Sequence, residues 1–439
     1  MSDTKFWKPV YQLFKPEESL ITAEDIRDFY VQRTDSPVES LVDSLEMEDD
    51  PAKFLLSGHT GSGKTTELRR VQHQLANSYT VIWIDTATAL DRYNIGYAEV
   101  VVLIGQEICR QAIQPGWWSR TDERLLKDLE DSLKTVIYQD KKDAVESLSL
   151  PEVLNKMGMT LKRGLTQEMT KTLNIRPVLS ETISRVNAIV KAAEKDRKQK
   201  LIVIVDGLDR HDQFTALEMF SSSLLTELEC HLIYTIPISL RYSPSFRQPM
   251  QRFQECLDLK NLAVFECDRN LCPTATPNRG GRDTLVKVIE KRLQRLKDKY
   301  GYQPQDLFTP DALELLCEKS GGVMRDLIRL ARIACQVAVR RKLMYVDRAV
   351  AEIVIKEERQ VYTISDYHFP ELATVHQTGR LTTKTHSLPN KGEFVICDEL
   401  LQNKFVLGYY DNSKNPWFDV NPILLEDLER WQAANYSQD

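Results

Sequence analysis

Residues 58–65 read Gly58-His59-Thr60-Gly61-Ser62-Gly63-Lys64-Thr65, with the apolar run Phe54-Leu55-Leu56 before them and Thr66-Glu67-Leu68-Arg69-Arg70 after. This is the G-x-x-x-x-G-K-[ST] pattern in a strand–loop–helix setting. It confines the chain to folds in which a buried strand delivers a phosphate-binding loop to the start of a helix. Glycines let such a loop wrap so that backbone N–H groups point inward at a phosphate. The helix beginning near Ser62 adds its positive end to the same spot. Lys64 supplies a cation for the β- and γ-phosphates, and the Thr65 hydroxyl is a ligand for Mg²⁺. The nucleotide-binding candidates are therefore Gly58, Thr60, Gly61, Ser62, Gly63, Lys64, Thr65 and Thr66, with ATP and Mg²⁺ as the expected cofactors. A glycine turn with a purely structural role gives no reason for a lysine to follow the last glycine.

At 439 residues two or three domains are expected. Apolar residues make up 42% and charged residues 28%, as in a globular protein with a sizeable core. A net charge of −6 gives no general electrostatic case for nucleic acid or a membrane surface. The eight cysteines include no C-x-x-C pair and several sit in apolar stretches, which points to reduced, buried thiols. Met1 to Lys8 is polar, without the apolar core of a signal peptide. No run approaches the roughly 20 apolar residues of a membrane helix. A cytoplasmic location and no membrane partner are expected.

Strand-like runs alternate with helical stretches. Lys53–Ser57, Val81–Asp85, Leu201–Val205, His231–Ile236 and Leu262–Glu266 are short, apolar and β-branched. Runs of this kind separated by helices predict a parallel sheet covered on both faces, an α/β doubly wound core with the phosphate site at its C-terminal edge. Ahead of the P-loop, Thr22 caps a turn through Asp25 to Tyr30, and Ser36, Pro37 and Glu39 open a helix carrying Leu41, Val42 and Leu45. Tyr30 to Gln32 are candidates either for adenine contact or for plain packing. Residues 117–200 contain no strand-like run and read as a helical insertion ending in the solvated Lys195–Lys200. Cys272 to Gly281 reads as a linker. Three helices follow, the second opened by Thr309-Pro310 and closed near Gly321-Gly322, the third running from Val323 to about Arg341. Arg325, Arg329 and Arg332 share one face of that third helix.

The tail from about Thr363 carries strand candidates Arg380–Thr385, Glu393–Cys397, Phe405–Tyr410 and Trp417–Val420, then a helix from Asn421-Pro422 through Trp431. From Glu371 onward ten acids face six Lys/Arg, so this part is expected to contact protein rather than read DNA, with Arg380, Lys384 and Lys391 as a local basic exception. The expected organisation is a P-loop core over 1–270 with the 117–200 insertion, a helical lid over 271–345, and a small α+β domain over 346–439.

Hydrolysis needs an acid beside the phosphates. Leu201–Val205 ends in Asp206-Gly207-Leu208-Asp209-Arg210, so a strand delivers Asp206 to the sheet edge as the Mg²⁺-linked carboxylate, with Thr65 as the other protein ligand. With that acid cluster, residues 20–345 resemble the AAA+ and STAND classes of P-loop ATPases, and Asp-Gly-Leu-Asp resembles the acid motif of NACHT-type STAND proteins. In typical AAA+ proteins a Glu follows the metal-linked Asp. Here Gly207 stands there, which leaves Asp209 as the group to orient or deprotonate water and implies slow hydrolysis.

The resemblance extends to His231–Thr235, similar to a sensor strand, where Thr235 is either a γ-phosphate sensor or a buried strand threonine. It extends to Gly321-Gly322-Val323-Met324-Arg325, similar to the second sensor of a three-helix lid, where Arg325 either reaches the γ-phosphate or is a surface arginine. A neighbouring subunit's arginine often completes such sites, and among Arg241, Arg247 and Arg252 the choice falls on Arg252. The tail resembles a winged-helix domain.

Together these imply an ATP-driven switch that assembles as a homo-oligomer or signals to a separate effector protein, in the manner of bacterial defence systems. The competing expectation is a DNA-directed AAA+ ATPase of origin-recognition or transposition-regulator type. A nucleotide-binding scaffold without turnover is the third.

Overall fold

The N-terminal segment, polar in composition, folds as a helix. In the computed structural model, which describes residues 3–34, 36–90, 95–114, 117, 123–137, 175–301, 303–382, 384–388 and 392–436, this is α1 (Asp3–Leu13). Trp7, Val10 and Phe14, three and four residues apart, are buried along one side. Helix α2 (Ala23–Phe29) opens on the expected cap: Thr22 Oγ1 accepts the Asp25 N–H at 3.0 Å, and Asp25 accepts the Thr22 N–H at 3.1 Å. Helix α3 (Val38–Met47) buries Val38, Leu41 and Leu45.

Next come β1 (Lys53–Ser57), buried throughout, α4 (Lys64–Leu75), β2 (Tyr79–Asp85) and α5 (Tyr97–Ala112). The described parts of the insertion are α6 (Glu123–Ile137) and α7 (Ile175–Arg197), joined by a buried Ser132–Thr182 hydroxyl pair at 2.8 Å. Residues 138–174 of the insertion lie outside the described residues. The expected solvated end is pinned: Arg197 donates to Thr80 Oγ1 and the Trp117 carbonyl, and Lys200 donates to the Glu48 and Asp49 carbonyls. Then follow β3 (Lys200–Asp206), α8 (Gln213–Phe220), β4 (His231–Ile236) and β5 (Glu255–Asp258).

The sheet order is β2-β3-β4-β1-β5, with β1–β4, β3–β4 and β2–β3 parallel. The strand carrying Thr235 lies between the one that feeds the P-loop and the one that ends in Asp206. Helices α5 and α7 close the core over the sheet, with Val101, Ile104, Ile108, Val186, Ile189 and Val190 buried. This is the α/β core expected from the apolar runs.

The last expected strand is a correction. Leu262–Glu266 does not join the sheet. Glu255–Asp258 takes the edge place, a four-residue strand with an acid at each end and only Leu257 buried, so it offers no apolar run to read. Phe265–Cys267 is β6, antiparallel to β7 (Pro273–Pro277), so part of the expected linker is a strand. Prolines at both ends of β7 had argued for a loop, but strand termini at an edge tolerate them.

Helices α9 (Arg279–Tyr300), α10 (Pro310–Lys319) and α11 (Met324–Arg341) are the three expected, and α12 (Arg348–Arg359) packs on α10 and α11 as a fourth. The tail comprises α13 (Phe369–Thr378), β8 (Thr385–Leu388), β9 (Gly392–Val395), α14 (Ile396–Gln402), β10 (Val406–Tyr410), β11 (Pro416–Val420) and α15 (Leu425–Tyr436). Two strand expectations shift: among the described residues of Arg380–Thr385 only Thr385 is strand, and Cys397 belongs to α14. There Ile396, Cys397, Leu400 and Leu401 are buried at helical spacing.

Two compact units divide the chain. Met1–Pro37, Gly58–Arg70 and Asp258–Asp439 form one; Val38–Ser57 and Val71–Leu257 form the other. The cysteines described are all free thiols. Among the described residues no helix is long and apolar enough to cross a membrane.

Candidate functional site

In the first unit the P-loop is held from three directions. Lys64 Nζ donates to two carbonyls of its own loop, Gly58 at 2.7 Å and His59 at 2.9 Å. Arg33, buried, donates Nη1 to the Ser62 carbonyl at 3.0 Å and Nη2 to the Lys260 carbonyl. Glu67, buried on the helix behind the loop, accepts from the Tyr30 hydroxyl (3.0 Å), Ser36 Oγ (2.8 Å) and Arg70 (2.8 Å). The Arg70 guanidinium lies 4.3 Å from the Tyr30 ring centroid and also donates to Gln32. Burial first, then the Glu67 charge, pushes the Tyr30 pKa upward, so the hydroxyl keeps its proton and stays a donor. Tyr30 and Gln32, candidates for adenine contact, thus brace the P-loop helix.

The start of α11 touches the loop directly. The Arg325 N–H donates to the Gly61 carbonyl at 3.0 Å. Gly61 has φ +93°, and a Cβ there would come within 2.7 Å of Arg325 Cβ, so only glycine permits this approach. The Arg325 side chain donates Nε–H to the Pro16 carbonyl at 3.2 Å. Arg332 donates to the Phe14 carbonyl and stacks over Tyr11 at 4.1 Å, while Arg329 pairs with Asp326 and Glu358. The basic face of α11 is therefore occupied, two of its three arginines holding the segment that follows α1.

His59 is fully buried, and its Nε2 accepts the Gly408 N–H at 3.2 Å. Burial, and then the ammonium groups of Lys260, Lys64 and Lys404, drive its pKa well below the ordinary histidine value, leaving it neutral.

In the second unit the acid turn is organised by one backbone N–H. Asp206 ends β3, and the Gly207 N–H donates to Asp206 Oδ1 at 2.9 Å and to Thr235 Oγ1 at 3.0 Å. Thr86 Oγ1 donates to the Asp206 carbonyl at 2.9 Å. Gly207 has φ +97°, and a Cβ there would lie 2.8 Å from Thr86 Oγ1. A side chain at 207 would therefore strain the backbone and force Thr86 to shift. Strand register sets Val205 opposite Tyr234 and Leu56 opposite Thr235, which puts Asp206, Thr235 and Leu56 level across three strands. The chain leaves β1 at Ser57 and enters the P-loop at the next residue. Asp209 follows in a single 3₁₀ turn, Leu208–Arg210, and is half-buried. Arg252 is exposed in the turn before β5, its N–H bonded to the Pro249 carbonyl.

Sequence reasoning missed Arg33, His59 and the Pro16 carbonyl. The imidazole within the P-loop, and the Trp7–Val10–Phe14 spacing, were the available clues. Arg33 offered none.

Residues 35–225, which include both the P-loop and the Asp206 turn, match the KAP family P-loop domain. The chain is similar in structure to the Aeropyrum pernix ORC2 protein in its ADPNP-ADP complexes (13% identity, TM-score 0.42, covering 97% of this chain and 98% of that one). It is also similar to a chain of Drosophila ORC bound to DNA (12%, 0.41, 97% and 91%) and to Cdc6p of Pyrobaculum aerophilum (11%, 0.38, 97% and 98%). No curated protein sequence matches. The fold is that of a P-loop NTPase.

The loop's donor set fits a triphosphate with its metal. Ser62 Oγ is buried with no hydrogen-bond partner among the described residues, an orphan that a phosphate oxygen would satisfy. Within the loop the Thr65 hydroxyl is a hard oxygen donor of the kind that Mg²⁺ takes.

Proposed function

We propose that this chain is an ATP-binding, slowly hydrolysing switch of AAA+/STAND type, in which nucleotide state is converted into a rearrangement of the lid and C-terminal region. The observation that carries this is the contact between the lid start and the P-loop, Arg325 N–H to the Gly61 carbonyl. A loop that rearranges around phosphates cannot do so without moving the backbone that begins α11.

In this account backbone N–H groups of residues 58–66 bind the phosphates and Lys64 exchanges its two loop carbonyls for phosphate oxygens. Thr65 and Asp206 are the assigned protein ligands of Mg²⁺, which when bound offsets phosphate charge. Asp209 is assigned to position or deprotonate the attacking water, because residue 207 is a glycine and not an acid. Thr235, hydrogen-bonded to the backbone of that turn, is the γ-phosphate sensor. Arg325 is the second sensor, and Arg252 the arginine offered to a neighbouring subunit.

Assembly, or hand-off to a separate effector, follows from such a switch. Size and phosphate release measured with and without ATP test this function. The same assay with duplex DNA across a salt series separates it from a DNA-directed ATPase, which DNA would stimulate in a salt-dependent way.

A further inference from the structure

His59 is bonded at both ends of its residue. Its carbonyl accepts Lys64 Nζ at 2.9 Å, and its imidazole Nε2 accepts the Gly408 N–H at 3.2 Å. Gly408 lies in the middle of β10, and its own carbonyl accepts the Asn261 N–H at 3.1 Å. The β10–β11 hairpin is in turn tied to the start of the lid. Tyr409 donates its hydroxyl to the Gly321 carbonyl at 3.0 Å, and Leu407, Tyr409 and Trp417 form one apolar cluster with Val323. Thus a single P-loop residue links the phosphate-binding cation to a C-terminal hairpin.

We propose that His59 relays phosphate occupancy of the P-loop to the β10–β11 hairpin; the proposal rests on the ATP-binding function above. A phosphate that attracts Lys64 Nζ withdraws a charge-assisted donor from the His59 carbonyl. The His59 peptide is then free to turn, and its ring sits on a bond already at the long end of the N–H···N range. A buried Gly408 N–H cannot be left without an acceptor at small cost, so the hairpin must follow the ring or find a new partner. Bound and free states thereby differ in a definite interaction, which is what coupling requires.

The test is amide hydrogen exchange across residues 405–420 of the full chain, with and without saturating Mg-ATP, nucleotide binding being titrated separately. In the wild type, ATP should change exchange at Gly408 by about fivefold or more. His59→Gln, which retains an acceptor within reach of Gly408, should keep that response, and His59→Leu, which fills the space without one, should lose it at saturating ATP. A wild-type hairpin that exchanges identically with ATP bound, or a Leu variant that responds like wild type, overturns the relay. If the Leu variant does not fold, the wild-type comparison decides alone. A wild type that binds no nucleotide in the titration overturns instead the function on which the relay rests.

Discussion

Arg325 and Pro16 are 309 residues apart in sequence, yet the guanidinium Nε–H of the first donates to the carbonyl of the second at 3.2 Å. Arg332 bonds the Phe14 carbonyl just before it, and Trp7 Nε1 donates to the Leu343 carbonyl at 2.8 Å. The N-terminal helix is thus strapped along α11. For Arg325 to serve a γ-phosphate its guanidinium must donate to that ligand beside or in place of the Pro16 carbonyl, and a phosphate is the stronger acceptor.

Arg325→Ala is therefore expected to weaken ATP binding roughly tenfold, about 1.4 kcal/mol, in a fluorescence titration. Arg325→Lys should recover only part of it, since an ammonium lacks the planar fork. Wild-type affinity in Arg325→Ala would make Arg325 solely an anchor for the N-terminal strap.

Asp209→Asn should bind ATP about as well as wild type and lose turnover by roughly 10²-fold or more, the typical size of a general-base contribution. Single-turnover phosphate release reads this directly. Undiminished release would remove Asp209 from the mechanism.

Gly207 is held in place by backbone geometry. Gly207→Ala forces a Cβ into the left-handed region and against Thr86 Oγ1, so thermal unfolding should show a loss of roughly 2–4 kcal/mol. Pairing it with Thr86→Ala should restore the part due to the clash and not the part due to φ. If the single variant is as stable as wild type, the turn is not constrained as described.

A pH dependence follows from His231. Its Nδ1 accepts the Ala52 N–H at 3.1 Å, and burial, followed by the charges of Lys200 and Lys53, lowers its pKa from 6.5 to about 4. Between those values the unfolded chain binds more protons than the folded one. Stability from this group is therefore complete above pH 6.5 and falls as pH drops through that window toward 4, by about 2 kcal/mol at pH 5. Denaturant titrations should show this acid loss, and His231→Asn, which keeps an acceptor but does not titrate, should flatten that part of the profile. An unchanged pH profile in the variant would assign the acid loss elsewhere.

Local chemistry was the legible part of this chain. The P-loop, the Asp206 strand end, the Thr22 cap and the Thr309-Pro310 helix start each depend on residues within a few positions of one another, and all fold as their patterns imply. What escaped was set by distant partners. The Trp7 face has meaning only once α11 lies against it. Arg33 looks like any surface arginine until the Ser62 and Lys260 carbonyls surround it. Edge position disguised Glu255–Asp258, and Gly207 reads as a missing acid until Thr86 shows that a side chain there would clash. Lys384, read as part of a basic patch, is paired with Glu371 at 3.0 Å, and Lys391 lies outside the described residues.

Lys64 gives the most direct test of the central claim. Its ammonium is already bonded to two carbonyls of its loop and would be shared with a nucleotide's β- and γ-phosphates. Mg-ATP titrated into purified wild type and Lys64→Ala, with phosphate release followed in parallel, should show saturable binding and slow release in the wild type. In the variant, affinity should fall by roughly 10²-fold, near 3 kcal/mol, and release should vanish. Equal binding and release by the two proteins, or no binding by the wild type, would contradict the account.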